Sequence, residues 1–428
     1  MKKYIFTAII ISAFFTIAIF FIHYYLPSLF TYTTYDTALF PIEQHIDNAM
    51  MRDVYEFHIS HPEFVRRPVT SFLIRTIHDF FSVSFVNAYI AVNFSLLFFS
   101  AMLIYMIALR YTKKYKDALL SIVLYFFSFS ILFAFTAEMS TYDDIVQYVL
   151  LFFSIFCLQQ KKFIFFSISF FLAVMTRETS LLLIPGFLVI SFAYMPKTWK
   201  EVVYNKITIK TCLYSVMSVL LFVVWLVWFL KFHGQVSQVE QYLLHERFSH
   251  LHYNFQDFGF ALHSLVSLCL VLGFQVFLIY EFVRYSSVSF VHKKYISAFI
   301  LTLVINTLIV YASARAREAR LFALPLLFVW PFLGYYASQV FAHTKKHIFL
   351  LSTYFKQYML YSSMIVVRSI IFMFIAYLFC FYVYIPQSFW QLYNYFRMYV
   401  CMLFFFFIIY YAIQSLIFYY RSHERIHS

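Results

Sequence analysis

Apolar residues run almost without interruption through stretches at 4–22, 83–109, 117–136, 143–158, 163–175, 180–195, 211–230, 260–283, 295–312, 321–341, 358–385 and 398–420. Continuous apolarity, rather than one apolar stripe every 3.6 residues, is what a helix surrounded by lipid requires. The pattern predicts an all-α, polytopic transmembrane helical bundle of about twelve spans, in a single transmembrane domain covering 1–428. Most runs reach the ~20 residues that cross a hydrocarbon core of ~30 Å. The pair at 163–175 and 180–195 is shorter, and reads either as a hairpin that stops partway or as two spans lengthened into the interface.

Composition agrees. Only 12% of the 428 residues are charged, and mean hydropathy is +0.77. A soluble domain of this length needs far more charge to cover its surface. Five glycines leave no room for a glycine-rich phosphate loop. The five cysteines all fall within apolar stretches without metal-ligand spacing, and read as small apolar residues in helices.

The net charge of +13 is sorted by side in a way that argues against nucleic acid as a partner. Met1-Lys2-Lys3 before the first apolar run reads as a retained signal anchor over 1–22 with a cytoplasmic N-terminus. Alternating from there puts 16 lysines on the cytoplasmic side and one, Lys231, opposite. Both termini are then cytoplasmic, with 421–428 as a tail. Arginine does the reverse: Arg66, Arg67, Arg177, Arg315, Arg317 and Arg320 are among ten outside, with 15 of the 19 acids. Guanidinium binds phosphate and carboxylate bidentately, so arginine placed against the topogenic bias points to an outer site for an anionic group. The other reading is arginines paired to neighbouring acids.

Five outer segments hold the candidate chemistry. The first loop, 23–82, has Asp36 in a Y-D-T, then Pro41 opening an amphipathic surface helix. Its apolar face is Ile42, Ile46, Met50, Val54 and Phe57, with Glu43, Asp47 and Asp53 turned elsewhere. An extended, proline-flanked H-P-E-F-V-R-R-P follows. The second segment ends in Asp143-Asp144, either a divalent-cation site (Mg or Mn) or a helix cap. The third is T-R-E-T, where Arg177 and Glu178 pair with each other or serve a site. The fourth carries His250-x-His252, a weak metal signature. The fifth is A-R-A-R-E-A-R-L-F-A-L-P: on a helix, Arg317 and Arg320 share a face and clamp a phosphate beside Arg315 and Glu318.

In this order the segments resemble the GT-C superfamily of polytopic membrane glycosyltransferases. The likeness rests on the signal anchor, the early acid, the acidic loop, the T-R-E-T hairpin and the late R-E-x-R-x-x-x-x-x-P. A clear D-D or D-x-D in the first loop and a large soluble C-terminal domain, both found in the best-marked branches, are missing. The resemblance implies inverting transfer of a sugar from a polyprenyl-phosphate-linked donor to a glycan, lipid or protein acceptor, outside a bacterial cytoplasmic membrane. Asp36 would be the general base, with Glu43, Asp47 and Asp53 as alternates. Arg315, Arg317, Arg320, Arg177, Arg66 and Arg67 would hold the donor phosphate, supported by Glu178 and Glu318. No cofactor is required; a cation would sit at Asp143 and Asp144. Two other readings stand beside this one. A polymerase, ligase or flippase of lipid-linked glycans shares the ligand, and a secondary transporter would use Arg368, Asn306, Gln275 and Gln147 within the spans.

Overall fold

The computed structural model describes residues 2–25, 48–135, 142–192, 205–232, 249–316, 318–357, 359–384 and 393–427. Every regular element among them is helical. The long helices are α1 (Lys2–Tyr25), α2 (Asn48–Ser60), α3 (Pro68–Phe81), α4 (Phe85–Thr112), α5 (Tyr115–Phe126), α6 (Asp144–Gln159) and α7 (Phe163–Thr176). They continue with α8 (Ile184–Ser191), α9 (Lys206–Phe232), α10 (Phe258–Tyr285), α11 (Phe290–Ser313), α12 (Leu333–Gln357), α13 (Met359–Leu378) and α14 (Tyr393–His427).

Among the described residues, seven helices are long and apolar enough to cross a membrane: Tyr4–His23, Phe85–Thr112, Lys206–Phe229, Phe258–Tyr285, Phe290–Ser313, Tyr361–Val383 and Phe396–Tyr419. Three shorter apolar helices, Asp144–Gln159, Phe163–Thr176 and Glu178–Ser191, lie among them. The chain is thus an all-α, multi-pass membrane bundle.

Its core is aromatic. Trp330, Tyr89, Tyr125, Tyr142, Tyr295 and Tyr336 are among its largest fully buried side chains. The run 319–332, expected to open a regular span, instead forms three short 3-10 turns at Ala319–Phe322, Leu324–Phe328 and Trp330–Phe332. Pro325 and Pro331 remove backbone donors and stop an α-helix from propagating. Every residue from Phe322 to Gly334 is buried. Irregular backbone survives at such a place only inside protein, with its polar groups met by neighbours. Asn306 donates to the Leu321 carbonyl at 2.9 Å, and Ser121 donates to the Pro331 carbonyl at 2.9 Å while accepting from the Gly334 amide at 3.0 Å.

Two glycines mark close approaches. A Cβ on Gly334 would stand 2.0 Å from the Asp117 carbonyl oxygen on α5, and one on Gly186 would stand 2.3 Å from the Phe328 ring. Lys113 and Lys161 close α4 and α6 in left-handed conformations that glycine usually supplies.

The later part of the expected first-loop helix is present as α2, Asn48–Ser60. Residues 26–47, including Asp36, Glu43 and Asp47, lie outside the described residues. The buried face of α2 is Met51, Val54, Tyr55 and His58, with Arg52, Asp53 and Glu56 exposed. The expected face pointed to Phe57, and the true one lies one residue on. The H-P-E-F-V-R-R-P segment is not extended: Pro62 opens a helical turn over Pro62–Val65, and Pro68 starts α3. Proline at the first helical position loses nothing, because that amide would be unpaired anyway.

Candidate functional site: an arginine–carboxylate cluster

Four segments far apart in sequence meet at one end of the short helices. Arg66 and Arg67 stand before α3, and Asp143 and Asp144 at the start of α6. Arg177 and Glu178 form the turn after α7, and Glu318 and Arg320 follow α11. The opposite ends of α6 and α7 are joined by the turn that carries Lys161 and Lys162.

Of the two readings of T-R-E-T, the Arg177–Glu178 pair does not form. Arg177 is extended (φ −154°, ψ 127°), which sends neighbouring side chains to opposite sides. Arg177 pairs instead with Asp144. Glu178 takes both first-loop arginines: its Oε1 lies 2.8 Å from Arg66 Nε and its Oε2 2.8 Å from Arg67 Nη2. Arg67 Nε also donates to Oε2 at 2.9 Å. Asp144 meets a second cation, Arg320 Nη1, at 3.5 Å, while Arg320 Nη2 reaches Glu318 at 2.8 Å.

Local packing explains why the turn sits where it does. Gln147 donates to Ser180 Oγ at 2.8 Å and to Thr179 Oγ1 at 3.2 Å, tying T-R-E-T-S to α6. Ser180 Oγ donates back to the Ala173 carbonyl at 2.9 Å. Tyr142 stacks on His58 at 3.9 Å between ring centres and shares a hydrogen bond with Ser71 at 3.3 Å, which fixes α2 and α3 against the start of α6.

The late arginine segment is not the expected helix. Ala314 is extended, and the chain turns once as 3-10 at Ala319–Phe322. Arg317 lies outside the described residues. Arg315 is exposed, with no ion pair among the described residues. Asn254, which sequence reasoning passed over, holds this segment. It donates to the Tyr311 carbonyl at 3.0 Å and the Ala314 carbonyl at 2.8 Å, and accepts from the Ala316 amide at 3.0 Å. Nothing in the sequence around a lone loop asparagine gives such a role away.

Electrostatics divide the two adjacent aspartates. Burial pushes the Asp143 carboxyl above its ordinary range; the nearby Thr70 hydroxyl, Arg67 and Arg177 pull it back, and Glu178 adds to the rise. Asp143 Oδ1 is buried without a hydrogen-bond partner. Burial likewise disfavours the Arg177 charge, and Arg320 and Arg67 add to that, against Asp143 and Glu318. The pair fits a divalent cation poorly. Asp144 faces two guanidiniums that would repel it, and no three His, Cys, Asp or Glu converge as a ligand set among the described residues. His250 and His252, in the turn His250–Asn254, belong to no such set either.

Comparison with known protein families, curated proteins and solved structures finds no match.

Proposed function

We propose that the protein is a GT-C-like membrane glycosyltransferase, transferring a sugar from a polyprenyl-phosphate-linked donor to an acceptor on the extracytoplasmic side. The observation that carries this reading is the convergence of four arginines and four acids from distant segments on one bundle end. The lysine-bearing turns at 113–114 and 161–162 close the other ends of these helices. Positive-inside bias then puts the cluster outside, in a bundle of about twelve passes. Helices α7 and α6, of 14 and 16 residues, rise only about 21 and 24 Å. The cluster is thereby recessed below the outer surface, where a lipid-borne phosphate can reach it.

Arg66, Arg67 and Arg177 are bound to acids and build the floor of the recess. Arg320 is held more loosely, by the 3.5 Å contact to Asp144 and by partly exposed Glu318. With Arg315 and Arg317 it supplies the cationic excess for the donor phosphate. In the reaction the acceptor oxygen attacks the anomeric carbon and the acceptor proton passes to Asp36, with Glu43 and Asp47 as alternates. The bond from that carbon to the phosphate oxygen breaks, its electron pair going to the phosphate, so the configuration inverts. No general acid is needed for such a leaving group, and no metal step is invoked.

One observation favours a transporter instead: the buried, broken run 319–332 resembles the discontinuous helices that line transport sites. Against it, Gln147 and Asn306 are engaged in holding backbone and turn. The test is native mass spectrometry from mild detergent with added polyprenyl phosphate, comparing wild type with Arg320→Gln. Retention by wild type and loss in the variant supports the donor site. Equal retention, or none in either, sinks it.

A further inference from the structure

The hairpin of α13 and α14 carries a charge that the fold leaves in the wrong place. Of the span Tyr361–Val383, only 6% is buried inside the protein. Met364, Val367, Ile370, Ile371, Phe374 and Ile375 are all exposed. Such a surface faces lipid tails. Yet Arg368, about 10 Å along the helix from Tyr361, lies on it exposed, and its one contact among the described residues is the Phe372 ring, 5.2 Å from the guanidinium carbon. A guanidinium at membrane depth needs an anion or a route to the interface.

Among the described residues, its surroundings supply no anion. Between Glu318 and Glu424 the sequence contains no Asp or Glu. By sequence, the elements packed against α13 carry Lys345, Lys346 and Lys356 on α12, and Arg397, Arg421 and Arg425 with a single acid, Glu424, on α14. Tyr419 stacks on Tyr361 at 3.6 Å, and position 424 lies further along α14 beyond that end, away from Arg368. A second copy meeting this hairpin across a two-fold axis would bring arginine to arginine. The missing anion therefore comes from the bilayer.

We propose that Arg368 and the apolar face of α13 form a binding site for an anionic phospholipid. Its phosphate takes the guanidinium fork and its acyl chains lie along the exposed aliphatic and aromatic residues. Phe372 holds the guanidinium from below while the stem extends toward the near headgroup layer, by Tyr361. The site is independent of the proposed sugar transfer and lies on a different part of the bundle from the arginine–carboxylate cluster.

Native mass spectrometry in detergent doped with phosphatidylglycerol or phosphatidylcholine tests it, on wild type, Arg368→Lys, Arg368→Gln and Lys231→Gln. Wild type and Lys231→Gln are expected to carry phosphatidylglycerol several-fold more than phosphatidylcholine. Arg368→Lys should keep part of that preference, having charge without the fork, and Arg368→Gln should lose it. The proposal fails if wild type holds both lipids equally, a result that needs no variant to fold. It fails equally if Arg368→Gln keeps the wild-type preference, or if wild type is a lipid-free dimer that Arg368→Gln splits.

Discussion

Asp143 and Asp144 are neighbours in sequence with opposite electrostatic fates. Asp144 is the shared anion of Arg177 and Arg320, so Asp144→Asn takes the ion-pair partner from buried Arg177 and leaves Arg320 with Glu318 alone. A loss of about 3–5 kcal/mol is expected, read as a lowered melting temperature in detergent. Asp143 is buried with one oxygen unpartnered, and its carboxyl is held above the ordinary aspartate range. A carboxyl raised on folding opposes stability once pH passes its unfolded value, and that cost grows until the folded value is reached. Asp143→Asn is therefore expected to be tolerated, and to flatten the decline in stability as pH rises above the ordinary aspartate range. A steeper decline in Asp143→Asn than in wild type would show that its charge is stabilised. That these acids and arginines belong together as one candidate site was legible in the sequence. Their pairing was not, because it depends on contacts such as Arg67–Glu178 across 111 positions and on one extended residue at Arg177.

Among elements, close backbone approach decides more than helix propensity. A methyl at Gly334 would meet the backbone of Asp117 and Ser121, which no rotamer can move aside. At Gly186 it would meet the Phe328 ring and Thr302 Oγ1. Gly273, on α10, has open space around it. Gly334→Ala is expected to cost most, on the order of 2–3 kcal/mol, and Gly186→Ala less. Gly273→Ala should be neutral or gain up to about 1 kcal/mol from helix propensity. Thermal denaturation of the three variants gives the ranking, and a Gly334→Ala as stable as wild type would mean that α12 and α5 can part. The hydropathy pattern located α4, α9, α10 and α11 well, since each is apolar over its whole length. It misplaced the face of α2 by one residue and left 68–81 undivided from the loop, because α3 buries Thr70 and Ser71 while exposing Phe72, Phe80 and Phe81. Amphipathic pattern fails where polar and apolar residues share both faces, as in α3, which buries Ile74 beside Thr70 and Ser71.

For the whole molecule, sidedness is the claim with most resting on it. Cysteine-free protein bearing Arg315→Cys or Lys113→Cys, in intact cells, separates the alternatives. A membrane-impermeant maleimide is expected to label Arg315→Cys from outside and Lys113→Cys only after lysis. The reverse pattern would put the arginine cluster in the cytoplasm and remove the basis for an outer-leaflet donor. The bundle itself was the most legible feature, because lipid imposes a single rule, length of apolar run, that needs no knowledge of partners. Seven helices satisfy it by length and composition. The shorter apolar helices α6, α7 and α8 were legible as apolar runs, but at their length the rule does not decide whether they cross.

The broken run 319–332 bears on how such a chain comes to be assembled. It is made after α5, α6 and α11, yet it fills the space among them: Trp330 packs on Tyr125, Tyr148 and Phe152, and Phe328 packs against Gly186. Until those residues leave the ribosome, the N-terminal three-quarters of the protein surrounds a slot with no occupant. The bundle is consequently a lock whose key is translated late, and its earlier helices reach their final packing only when that key arrives.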